Sequence, residues 1–141
     1  MAVVAFRNND THGYDKKVTY SFDIFDTCLV RKCGEPNMVF DLMSERAFTK
    51  QVPSEEKRAF VVARLEAASK SWSDKQTLLN IYDAFQFGHP DILPKNKLME
   101  LELTVEREML SPVKDMVNYI ASLREAGSHI IFISDMYLGE E

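Results

Sequence analysis

Val18-Thr19-Tyr20-Ser21-Phe22-Asp23-Ile24-Phe25-Asp26-Thr27 is the stretch on which the fold turns. Val18, Tyr20, Phe22 and Ile24 alternate with Thr19, Ser21 and Asp23. A period of two in aromatic and β-branched residues predicts a strand, ending near Phe25. Cys28-Leu29-Val30 predicts a short extension before a turn over Arg31–Pro36. Asp23 interrupts the strand's apolar end, and Asp26-Thr27 follow it directly.

A second apolar run, Ile130-Ile131-Phe132-Ile133, comes after a predicted helix and Gly127 and leads straight into Ser134-Asp135. Four consecutive apolar residues in that setting predict a strand buried on both faces, as in a parallel α/β sheet. Open α/β sheets bind ligands beyond the carboxyl ends of their strands. If the two strands are parallel neighbours, Asp23, Thr27, Ser134 and Asp135 converge on one crevice. A carboxylate beside hydroxyls and free backbone N–H groups suits phosphate chemistry. It can act as a nucleophile, or hold Mg²⁺, a hard cation that takes oxygen ligands. Each residue also has a plainer use: a strand-end Asp caps a turn, and Ser-Asp after a strand starts a helix. Two such strand ends in one chain favour function. Asp26 on its own reads as structural.

Between the strands, residues 36–110 predict only helices. The first runs from Pro36 to about Phe48, and the second starts at Ser54 with a Val61, Leu65, Ala68 and Trp72 stripe. The third is capped by Thr77 and stopped by Gly88, and the fourth spans about Lys95 to Leu110. Glu100, Glu102, Glu106 and Glu108 fall mainly on its outward part, which predicts a solvated face rather than metal ligands. Ser111-Pro112 predicts the N-cap and first turn of a fifth helix. Trp72 is expected in packing. The organisation is therefore a lead-in over residues 1–17, a discontinuous core over 18–35 and 111–141, and a helical insertion over 36–110.

The two strand-end motifs carry a resemblance. Ser21-Phe22-Asp23-Ile24-Phe25-Asp26-Thr27 resembles the first motif of haloacid-dehalogenase-like (HAD) hydrolases. Ile130-Ile131-Phe132-Ile133-Ser134-Asp135-Met136-Tyr137-Leu138 resembles their second. The pairing is closest to a subgroup often beside or fused to glycosyltransferases, so such a domain or partner is an expectation. The resemblance runs from about Val18 to the end of the chain. It implies an α/β fold: an incomplete Rossmann-like core of parallel strands with an inserted helical cap. It implies a small phosphorylated substrate and Mg²⁺, with Asp23 as nucleophile and metal ligand and the Phe25 carbonyl as a second ligand. Thr27, Ser134 and Asp135 are implied at the phosphate, with Thr27 orienting the loop.

Two departures shape the expected activity. HAD phosphatases carry a second Asp two residues after the nucleophile, a general acid–base worth about 10²–10⁴-fold. Here that position is Phe25. Asp26 is the nearest carboxylate to take over, although its side chain would start on the opposite face of a continuing strand. The family's third and fourth motifs, a Lys or Arg and an acidic pair, follow the second in that family, so the resemblance implies that these residues are its N-terminal portion. The expectation is a phosphohydrolase or phosphotransferase working through an aspartyl phosphate, weak or inactive over these residues alone. The alternatives are a non-catalytic HAD-like binding or regulatory module and a dehalogenase, whose halide leaves without a proton.

Composition narrows the remaining classes. The 141 residues have 45% hydrophobic and 28% charged content, ordinary for a folded globular domain. A net charge of −5 with no basic block gives no footprint for nucleic acid or an anionic membrane. No apolar run approaches the ~20 residues of a membrane helix. Cys28 and Cys33 are too few for a disulfide scaffold or a zinc site, and a reducing cytoplasm is expected. Cys28 is expected to behave as a small buried hydrophobe.

Overall fold

The structure, a computed structural model, describes residues 3–7 and 18–137, the first span by its backbone alone. In chain order the elements are β1 (Val3–Arg7), β2 (Val18–Asp23), β3 (Leu29–Arg31), α1 (Met38–Ser44), α2 (Ser54–Lys70), α3 (Leu78–Ala84), α4 (Lys95–Met109), β4 (Leu110–Pro112), α5 (Lys114–Glu125) and β5 (His129–Ile133). The described residues are thus mixed α/β. They fall into two compact units. A sheet unit takes the chain up to Lys32 and then Leu110–Asp135, and a helical unit takes Cys33–Met109 and the chain from Met136.

In the sheet unit, β2 is the middle strand of three, in the order β1-β2-β5. It pairs in parallel with β5, Tyr20 opposite Ile130 and Asp23 opposite Ile133. Val3–Arg7 is an antiparallel strand on the other side of β2, not a lead-in. An unpaired strand edge leaves ladder groups unsatisfied, and the apolar Val3-Val4-Ala5-Phe6 run supplies a partner. The rest of the lead-in lies outside the described residues.

One face of this sheet packs on α5. Phe22, Cys28 and Met116 are buried there, with Tyr20, Val113, Ile120, Leu123 and Ile130 packed around them. Phe22 is fully buried, which is worth about 1.5–3 kcal/mol relative to exposure. Alternation along β2 sends Ser21 and Asp23 to the opposite face. β5 is not buried on both faces: Phe132 is 52% exposed and Ile133 58%. Among the described residues no strand pairs with its outer edge.

Ser111-Pro112 does not cap α5. Both residues belong to β4, where Pro112 lies opposite Leu29 and Ser111 opposite Val30. The helix starts at Lys114, after Val113, with no side-chain cap. A long-range strand partner, Leu29–Arg31, wins over a local capping signal, and nothing local in the sequence announces it.

The helical unit has its own core, with Val39, Met43, Phe60, Ile81, Tyr82, Leu98 and Val105 all essentially inaccessible. Phe60 meets Phe48, Phe85 and Phe87 edge-on at 5.7–6.1 Å between ring centroids, the favoured aromatic geometry. Thr77 does cap α3, in a reciprocal capping box with Asn80. The inner face of α2 is Phe60, Arg64 and Ala67, set one residue back from the expected stripe. Trp72 is accordingly 77% exposed rather than packed. On α4, Glu102 and Glu106 are buried, against the expectation of a solvated face, whereas Glu100 and Glu108 are exposed. No helix among the described residues is long and apolar enough to cross a membrane.

Candidate functional site at the β2 and β5 strand ends

Asp23 closes β2, and the chain then folds into a tight turn instead of continuing as strand. The Ile24 carbonyl accepts from the N–H groups of Cys28 and Leu29, both at 2.9 Å, and the Asp26 N–H donates to the Leu29 carbonyl at 2.7 Å. The Ile24 N–H reaches across to the Ile133 carbonyl at 3.2 Å, extending the parallel ladder one step past Asp23. The buried Thr27 returns its hydroxyl to Asp23, donating to Oδ2 at 3.1 Å. That bond restrains the rotation of the carboxylate through Oδ2.

Asp26 sits in the turn at φ +56°. Few side chains tolerate that left-handed region, and Asp is one that does. Its side chain is exposed and belongs to no strand, so the expected face alternation from Phe25 does not apply. Phe25 forms an isolated bridge with Leu29. The Arg31 guanidinium lies over its ring, 4.9 Å from the centroid. Phe25 is therefore an aromatic ring held in a cation–π contact.

Ser134 and Asp135 follow β5 at once, and both are exposed. Because Asp23 pairs with Ile133, they leave the sheet at the same end as Asp23, on the neighbouring strand. The structure thus brings Asp23, Thr27, Ser134 and Asp135 to the carboxyl ends of two adjacent parallel strands. The available donors are carboxylates, hydroxyls and the Phe25 carbonyl, all hard oxygens of the kind Mg²⁺ accepts. Among the described residues no three His, Cys, Asp or Glu side chains group to hold a metal by themselves.

Burial, and then the neighbouring Asp23 carboxylate, push the Cys28 thiol above its ordinary value. It stays protonated near neutrality, which removes it as a nucleophile. Cys28 instead lines an apolar cavity of about 400 Å³ on the α5 face, with Ile24, Leu29, Pro112, Ile120 and Phe132. Asp23 is not among the residues lining it. His129 opens β5 at the end away from Ser134, and His89 is held in the helical unit, its Nε2 2.8 Å from Glu56.

A polar cluster inside the helical unit has no counterpart in the sequence reading. Glu102, fully buried, accepts four hydrogen bonds. Arg64 Nε donates to Oε2 at 2.8 Å and Arg64 Nη2 to Oε1 at 2.6 Å. The Tyr82 hydroxyl donates to Oε2 at 2.8 Å and that of Tyr137 to Oε1 at 3.0 Å. The Arg64 guanidinium also lies over the Phe40 ring, 4.7 Å from its centroid. Burial first, then the Glu102 charge, drives both phenols well above their ordinary values, so both remain donors. Hydropathy patterning misses the cluster because it assigns every Arg and Glu to the outside. The available signal is Arg64 at four residues from Phe60, on the buried side of α2.

The chain matches no protein-family model, and no curated protein matches it.

Proposed function

We propose that this chain carries the nucleophile of a HAD-like phosphohydrolase or phosphotransferase site, with a Rossmann-like core and the helical unit as its cap insertion. The observation that supports this reading is the Thr27-oriented Asp23 carboxylate at the end of β2, beside Ser134-Asp135 at the end of the parallel neighbour β5. Asp23 Oδ1 attacks phosphorus in line. The bond from Asp23 oxygen to phosphorus forms as the bond to the leaving oxygen breaks; water then attacks phosphorus, the Asp23 oxygen–phosphorus bond breaks to return the carboxylate, and the water's protons leave with the inorganic phosphate and solvent. Thr27 holds the carboxylate in its attacking orientation. Ser134 donates its hydroxyl to a phosphate oxygen, and Asp135 follows it at the same strand end. Asp23 and the Phe25 carbonyl are the groups that would hold Mg²⁺, whose charge offsets that of the phosphate oxygens.

Phe25 gives this site a preference. With no acid at that position, the leaving oxygen departs without a proton from the protein. Aryl and acyl phosphates, whose leaving groups are weak bases, suit it better than alkyl phosphates, by about 10²-fold or more. Any turnover of an aryl phosphate in Mg²⁺ is expected to be weak for these residues alone and to be lost in Asp23→Asn. Turnover that survives in Asp23→Asn overturns the assignment. A second reading, a non-catalytic phosphate-binding module, is favoured by the Phe25 ring held under Arg31. It predicts binding of a phosphate analogue with no turnover of any ester.

A further inference from the structure

Two cavities adjoin on the α5 face of the sheet unit. The first, of about 400 Å³, has walls from Ile24, Leu29, Ile120 and Phe132. The second, of about 350 Å³, is lined by Ser128, His129 and Ile130. Arg124 and Phe132 line both, so an apolar cavity meets a hydrogen-bonding one at these two side chains. Spacing on α5 builds the shared wall. Val117, Ile120, Ala121 and Arg124 recur at three, four and seven residues, which places them on one helix face. That face lies beside the core rather than in it: Met116 is buried, whereas Val117 is 50% exposed. Arg124 is the only guanidinium or ammonium group lining either cavity. Among the described residues no carboxylate pairs with it.

We propose that these cavities bind a small amphiphilic monocarboxylate, its alkyl chain in the apolar cavity and its head group on Arg124, with Ser128 and His129 as further donors. The first cavity falls within the about 300–1,000 Å³ of small-molecule sites, which pair apolar walls with a few placed polar groups. Burial of the alkyl chain supplies affinity, because it covers side chains that otherwise face water. Arg124 selects the head group. One guanidinium matches one carboxylate in a bidentate pair, and a dianion would keep half its charge unmatched. Asp23 lines neither cavity, so the site is separate from the strand-end carboxylate and does not rest on the phosphate reading.

Octanoate is the probe, titrated into the full chain and followed by the amide chemical shifts of α5 and β5. Saturable binding is expected, tightening about fourfold for each CH₂ added from hexanoate to octanoate. Arg124→Gln is expected to weaken octanoate about tenfold and to leave 1-octanol unchanged. The neutral alcohol thus separates a lost charge from a damaged fold. Ala121→Phe fills the apolar cavity from an exposed helix position and is expected to abolish binding of both. Octanoate that does not saturate overturns the proposal, as does an affinity that ignores chain length. Unchanged octanoate affinity in Arg124→Gln or in Ala121→Phe overturns it too. So does a dimer in sedimentation that octanoate fails to dissociate, because a second copy of the chain then covers the cavities.

Discussion

At the level of single residues, the candidate site depends on where the chain stops being a strand. Asp23 is the last residue of β2, and the turn after it returns Thr27 to its carboxylate within hydrogen-bond reach. Asp26 is the residue whose backbone makes that turn, at φ +56°. Its role is conformational, so Asp26→Gly is expected to leave the unfolding free energy from urea denaturation within about 0.5 kcal/mol of wild type. Asp26→Val is expected to cost about 1–2 kcal/mol. A collapse of turnover in an equally stable Asp26→Gly would instead return Asp26 to the role of acid. The sequence revealed Asp23, Thr27, Ser134 and Asp135 because a polar residue at the end of an apolar run breaks a visible pattern. The turn geometry was hidden, since Phe25 and Asp26 continue the same alternation that β2 follows up to Asp23.

Among the secondary elements, α2 and α4 hold the least expected feature, a buried Arg64–Glu102 pair completed by two phenols. Removing one partner strands the other charge in the core. Glu102→Ala is therefore expected to destabilise the helical unit by about 3–5 kcal/mol in urea denaturation. Replacing both partners with apolar residues, Arg64→Met with Glu102→Leu, is expected to recover most of that loss. A single Glu102→Ala as stable as wild type would show that the pair contributes nothing. Helix existence was readable from spacing throughout residues 36–110, and the Thr77 cap was readable to the residue. The inner face of α2 was not, because Arg64 occupies a core position that only its partner on α4 makes tenable. β4 was unreadable for a related reason, its pairing being long-range.

For the molecule as a whole, two compact units share one chain that passes between them three times, at Lys32–Cys33, Met109–Leu110 and Asp135–Met136. The alternation of β2 and the apolar run of β5 announced two strands, and the structure pairs them in parallel and in a register that aligns Asp23 with Ile133. The antiparallel β1 was not announced, because a five-residue run carries little period of its own. Nor was the exposure of Phe132 and Ile133, since β5 has the composition of an inner strand and, among the described residues, the position of an outer one. The central claim, that the two strand ends form one phosphate site built on Asp23, is tested most directly by fluorine NMR of beryllofluoride binding to the chain. The account predicts a bound resonance that requires Mg²⁺ and disappears in Asp23→Asn. A wild type that binds none, or an Asp23→Asn variant that binds as well as wild type, would contradict it.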